Sequence, residues 1–212
     1  VLFTYSGVRP LPAVPADSPG GITRRHFLVD HAPEHSDLYS VVGGKLPPHR
    51  SLAQEVVDPT ARARGNHAPC RTRNLPFPYS PGAGLEELRQ ELMGSFGFSG
   101  PAARRLASIY GTRARDIAAL GASDPALGKP LGVGSLATGA EFLWTLEHEL
   151  ALGLSDVVIR RMMAAWNADL GRGVAEGAAG IGRTHLGWSN DRVTAELAEY
   201  ESYVERFEAG RR

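Results

Sequence analysis

The spacing of apolar residues changes once along the chain. Up to residue 45 the apolar positions alternate or form short runs bounded by Gly and Pro, the pattern of strands. Leu2-Phe3-Thr4-Tyr5 is β-prone, and Gly7 lets the chain turn before Val8-Arg9-Pro10-Leu11. Residues 12–21, rich in Pro, Ala and Gly, read as a loop. A second strand is predicted over 22–29, where alternation sets Ile22, Arg24, His26 and Leu28 on one face. A turn over 33–36 leads to a third strand over 38–42, apolar enough to be internal. Pro47 and Pro48 fit only the first turn of a helix, so a helix is predicted over 49–57. Residues 58–82 carry several prolines and little periodicity, which marks a boundary.

From Gly84 the period lengthens to three to four residues and the chain reads as all-helical. Leu85, Leu88, Leu92 and Phe96 form one stripe, closed by Gly97. Ser99 is placed to cap a helix carrying Leu106, Ile109 and Tyr110, and Thr112 another carrying Ile117 and Leu120. After a Gly/Pro-rich connection over 124–136, Leu143, Leu146 and Leu150 mark a long helix from about Ala140. Ser155 reads as the cap of the next, with Val158, Met162 and Trp166 on one face. Residues 172–186 form a Gly/Ala-rich helix suited to close packing, and Ser189 or Asn190 caps a last helix through Val193, Leu197, Tyr200 and Phe207.

Composition narrows the function classes. Formal charge is zero at pH 7, which disfavours a nucleic-acid surface, and 42% hydrophobic residues support a buried core. Cys70 is the one cysteine, so no internal disulfide forms and a reducing compartment is the default. No apolar run approaches the ~18 residues that span a bilayer, and no signal peptide is visible. The first residue is not Met and a strand is already under way there, so a piece of a longer protein is expected.

Chemistry concentrates in Val41-Val42-Gly43-Gly44-Lys45-Leu46, where a strand runs into two glycines, a lysine and a helix start. Such a turn brings bare backbone near a ligand, and a helix end offers amides to an anion. A tight strand-to-helix turn with an exposed lysine explains the same residues. Lys45 and Lys129 are the sole lysines among 23 Lys and Arg residues, so a lysine at that spot is unlike filler. Arg9 sits at a strand end beside Pro10, and Arg24 shares a face with apolar Ile22 and Leu28. Burying a guanidinium there costs free energy unless an anion meets it, and its planar fork suits carboxylate or phosphate. A structural carboxylate partner or a solvated edge strand accounts for both arginines equally well. His26, His31 and His35 lack the spacing of a metal site, and no second cysteine joins Cys70. Asp156 and Arg160 form an i,i+4 pair read as structural, with Glu147 and Glu149 available to the arginines across helices.

Three segments together resemble the FAD-dependent (aerobic) glycerol-3-phosphate dehydrogenases. They are Tyr5-Ser6-Gly7-Val8-Arg9-Pro10-Leu11, Ser18-Pro19-Gly20-Gly21-Ile22-Thr23-Arg24 and Ser40-Val41-Val42-Gly43-Gly44-Lys45-Leu46. The helical half is similar to that family's C-terminal domain in Ile109-Tyr110-Gly111-Thr112-Arg113-Ala114, in residues 141–149, and in Leu154-Ser155-Asp156-Val157-Val158-Ile159-Arg160-Arg161. The resemblance implies oxidation of sn-glycerol 3-phosphate to dihydroxyacetone phosphate, with hydride passing to FAD and electrons to a quinone. It also implies substrate contacts from Arg9, Arg24 and Lys45, with Lys45 as the catalytic group that stabilises charge on oxygen. Gly43, Gly44 and Leu46 would pack against the cofactor, no metal is involved, and the general base, a histidine, lies outside the chain. Two departures stand out. Relatives follow Gly-Gly-Lys-Leu with Thr-Thr-Tyr-Arg, whereas Pro47-Pro48-His49-Arg50 removes two amide donors there, and Arg160-Arg161-Met162 replaces their Arg-Arg-Thr.

The fold class expected is α+β: a short three-strand segment from a substrate/FAD domain, then an all-helical C-terminal domain. The expected limits are 1–68 for the incomplete FAD/substrate domain, 69–83 for a linker and 84–212 for the helical domain. Most FAD contacts are expected from an N-terminal region not in this chain, which alone is expected to be inactive. The resemblance further implies a cytoplasmic protein peripherally attached to the inner face of the cell membrane, without nucleic acid, and it leaves room for a homo-oligomer. Two other classes remain open here: a non-catalytic helical module for oligomer or membrane contacts, and a related amino-acid-oxidising flavoenzyme.

Overall fold

A computed structural model describes residues 1–8 and 25–210. The chain divides into two compact units, Gly7–Phe77 and, with Val1–Ser6 joined to it, Pro78–Arg212.

In the smaller unit, β1 (Phe27–Asp30) and β2 (Tyr39–Val42) pair antiparallel, Phe27 opposite Val42 and Asp30 opposite Tyr39. Among the described residues the sheet therefore has two strands rather than the three expected. Residues 2–5 are not a strand. A β-prone stretch becomes one only when an edge pairs with it. Here the Thr4 N–H donates to Phe207 O at 2.8 Å, and the Phe3 ring lies 5.4 Å from that of Trp166, both in the helical unit. The strand expected over 22–29 begins at Phe27; its residues 22–24, like the loop over 12–21, lie outside the described residues. Nor is β2 internal among the described residues, where one strand flanks it and Val41 is 45% exposed.

α1 (His49–Ala63) follows Pro48 directly. It outlasts the expected end at residue 57 and passes through Pro59. The proline forfeits one amide donor, while the Thr60 hydroxyl reinforces the same turn by donating to Val56 O at 2.9 Å.

The larger unit holds α2 (Leu85–Phe96), α3 (Gly100–Tyr110), α4 (Ala114–Ser123), α5 (Gly139–His148), α6 (Arg172–His185) and α7 (Asn190–Val204). α2 stops at Gly97, whose φ of 71° only glycine adopts freely. Ser99 and Ser189 cap α3 and α7 by accepting from Ala102 N and Arg192 N. Thr112 caps nothing with its side chain, because a 3₁₀ turn over Gly111–Arg113 links α3 to α4 and leaves no open helix start. Its N–H donates instead to Tyr79 O at 2.8 Å. α5 is shorter than expected and ends before Leu150, a non-glycine residue with φ of 53°. Ser155 likewise makes no cap bond; it precedes a π-helical turn over Asp156–Arg161, a wider coil than the regular helix expected.

Two apolar clusters form the core of this unit. One gathers Phe142, Leu154, Val157, Val158, Met162, Trp188, Tyr200 and Val204; the other gathers Leu88, Leu92, Leu106, Ile117 and Trp144. α5 serves both, giving Phe142 to the first and Trp144 to the second. α6 packs closely through its small residues: a Cβ on Gly182 would lie 2.6 Å from the Trp188 ring. The helical half is folded around its own core, as its periodicity predicts.

Candidate substrate site

The Gly-Gly-Lys turn leaves the end of β2 with φ of 73° at Gly43 and 106° at Gly44. Both values lie where side chains are strained. A Cβ on Gly43 would stand 3.1 Å from Arg25 O, and one on Gly44 would stand 3.3 Å from the His26 Cβ. The close approach that needs glycine is thus to the segment leading into β1. Lys45 follows, its side chain exposed, and makes no hydrogen bond or ion pair among the described residues. Leu46 is 84% exposed, and its carbonyl accepts from both the backbone N–H and the ring Nδ1 of His49, each at 3.0 Å. That contact occupies the first available amide of α1, since Pro47 and Pro48 have none.

Arg9 and Arg24 lie outside the described residues. What comes together at the turn is a pair the sequence did not single out. His26 is 9% exposed, and its Nε2–H donates to Glu55 Oε2 on α1 at 2.9 Å. Arg25, His26, Phe27, Leu28 and Glu55 line an open hollow of about 400 Å³. The alternation of the second strand did place His26 on the face of Leu28. Its carboxylate partner, 29 residues away, leaves no local signal.

Elsewhere the polar pairs are structural. Asp156 and Arg160 pair at 2.6 Å, as their spacing predicts. Arg161 Nε donates to the backbone carbonyl of Glu149 at 3.0 Å rather than to a carboxylate. Glu141 is fully buried between Arg105 Nη1 at 2.6 Å and Thr138 N at 3.1 Å, and burial pushes its carboxyl above the usual range against the pull of Arg105. Cys70 Sγ lies 3.1 Å from the Thr72 hydroxyl, which holds the thiol below its ordinary value. Among the described residues no three His, Cys, Asp or Glu side chains gather as a metal site. No described helix is long and apolar enough to cross a membrane.

Residues 70–193 match the family described as the C-terminal domain of alpha-glycerophosphate oxidase. A glycerol-3-phosphate dehydrogenase of Synechocystis sp. is 33% identical over 97% of this chain and 38% of its own length. The anaerobic glycerol-3-phosphate dehydrogenase subunit A1 of Haloferax volcanii is 37% identical over 58% of this chain and 21% of its own. An X-ray structure of the Bacillus halodurans glycerol-3-phosphate dehydrogenase, complexed with FAD, superposes on 80% of this chain and 36% of that one. Its TM-score is 0.65 at 22% identity, a likeness of fold. The chain thus spans less than two fifths of the length of these relatives.

Proposed function

The chain belongs to the family of the C-terminal domain of alpha-glycerophosphate oxidase, and from that premise we propose that it is the C-terminal part of an FAD-dependent glycerol-3-phosphate dehydrogenase. The observation that carries this reading is the family match together with the Gly43-Gly44-Lys45 turn, which leaves one exposed lysine at the end of a strand. Residues 1–68 are proposed as the end of a substrate and FAD domain, 69–83 as its linker and 84–212 as the helical domain.

Bound FAD would accept the hydride leaving C2 of glycerol 3-phosphate. The described residues do not form a cradle for it. Gly43 faces the Arg25 carbonyl and Gly44 the His26 side chain, and the prolines strip amides from the start of α1. Gly43, Gly44 and Leu46 are therefore proposed as one edge of the cofactor site, and most FAD contacts are assigned to the remaining length of the longer relatives. The tasks of this chain are electrostatic. Arg9 and Arg24 are proposed to grip the phosphate, because a dianion in a partly dry site needs fixed cations with matching geometry. Lys45 is proposed to hold the C2 oxygen and to stabilise negative charge that grows there as its proton leaves for a base outside the chain. The product is dihydroxyacetone phosphate, the final acceptor a quinone, and the setting the inner face of a membrane contacted peripherally from the cytoplasm.

Arg24→Ala in the full-length protein tests the assignment. Losing one charge-assisted grip on phosphate, worth about 1.5–3 kcal/mol, raises KM for glycerol 3-phosphate roughly 10- to 150-fold. A KM that does not move removes Arg24 from the site.

A further inference from the structure

The Gly-Gly-Lys turn is held from two sides. On one side lie Arg25 and His26, against whose carbonyl and Cβ the two glycines pack. On the other lies α1, which begins at His49, directly after Leu46-Pro47-Pro48, and presents Glu55 back toward the start of β1. The His26–Glu55 bond thus straddles the turn, tying the residue before β1 to the second turn of α1. The His26 side chain is buried, whereas that of Glu55 is 53% exposed, so the histidine is the fixed partner and the glutamate the latch.

Taking Lys45 as the substrate-facing cation proposed above, we propose that His26 and Glu55 are positioning residues that clamp the Gly-Gly-Lys turn and so set the direction of Lys45. Positive φ at two successive glycines leaves the turn few internal restraints, because glycine is the residue with most backbone freedom to lose. An exposed lysine without a partner among the described residues inherits its direction from the backbone beneath it. His26 supplies the missing restraint, packed against Gly44 and anchored to α1. Preorganising a cation in this way keeps its charge where oxygen charge develops and avoids reorganisation during the reaction.

Lysine labelling tests the clamp in the 212-residue chain itself. Labelling with ¹⁵N-lysine gives two amide signals, Lys45 and Lys129, and Lys129 lies in the other unit as an internal reference. In Glu55→Ala the Lys45 order parameter is expected to fall from about 0.85 to below about 0.6, with Lys129 unchanged. Glu55→Gln restores the order, since its amide oxygen still accepts from His26. The thermal midpoint stays level across both variants, because Glu55 is half exposed. Unchanged Lys45 order in Glu55→Ala, or an equal loss in Glu55→Gln, overturns the clamp. The substrate reading fails separately, if Lys45→Ala leaves KM for glycerol 3-phosphate unmoved in the full-length protein.

Discussion

Glu141 and Arg105 show what a single buried charge does in this fold. Glu141 has no exposed side-chain surface, and Arg105 meets it at 2.6 Å while also donating to Met162 O at 2.5 Å. The pair therefore joins α3, α5 and the end of the π-helical turn. Arg105→Ala leaves an uncompensated buried carboxylate, and the expected cost is about 3–5 kcal/mol. Urea unfolding followed by helical ellipticity measures it, and a loss under ~1 kcal/mol would mean that the pair adds nothing to the fold, since even protonating the carboxyl at neutral pH costs about 3–4 kcal/mol. Neither residue was legible as a partner of the other. They are 36 positions apart, and helical periodicity reports which face a residue occupies, not which distant charge meets it. His26 and Glu55 escaped the sequence for the same reason. Lys45, by contrast, stood out because lysine is so scarce in this chain.

At the scale of elements, local chemistry was readable wherever it acts within a few residues. Gly97, Ser99 and Ser189 end or begin helices where their types predict. Thr138-Gly139-Ala140-Glu141 carries a capping box as well, with Glu141 N donating to the Thr138 hydroxyl and Thr138 N to the Glu141 carboxylate. That pattern was available in the sequence and locates the start of α5 better than the leucine stripe does. Thr138→Ala should cost about 1 kcal/mol, within a range of ~0.5–2, read as a shifted urea midpoint at constant slope. A changed slope would instead report altered compactness. The π-helical turn and the passage of α1 through Pro59 were not readable. Ser155 has the right type for a cap, but its φ of −63° and ψ of −38° are already helical rather than the extended geometry of a cap. A strand also needs a neighbour, which is why the β-prone residues 2–5 form none.

For the whole molecule, the uneven distribution of core decides which part is stable. Every buried hydrophobic side chain among the described residues belongs to the helical unit, starting at Leu88. In the described part of Gly7–Phe77 the buried side chain is His26, and α1 buries none. A two-stranded ribbon and one helix without an apolar interior are marginal in water. The α+β class and the break in period near residue 84 anticipate this asymmetry, since a two-residue period over short runs promises little self-contained core. The smaller unit should therefore open locally while the helical unit stays closed. Brief digestion of the native chain with trypsin checks this. Cleavage at Arg62, Arg64, Arg71 or Arg73 should run at least about tenfold faster than at Arg104, Arg113 or Arg183, because each factor of ten in open population is ~1.4 kcal/mol of local stability. Comparable early cleavage inside α3 or α6 would show that the two clusters around α5 do not hold the helical unit together by themselves.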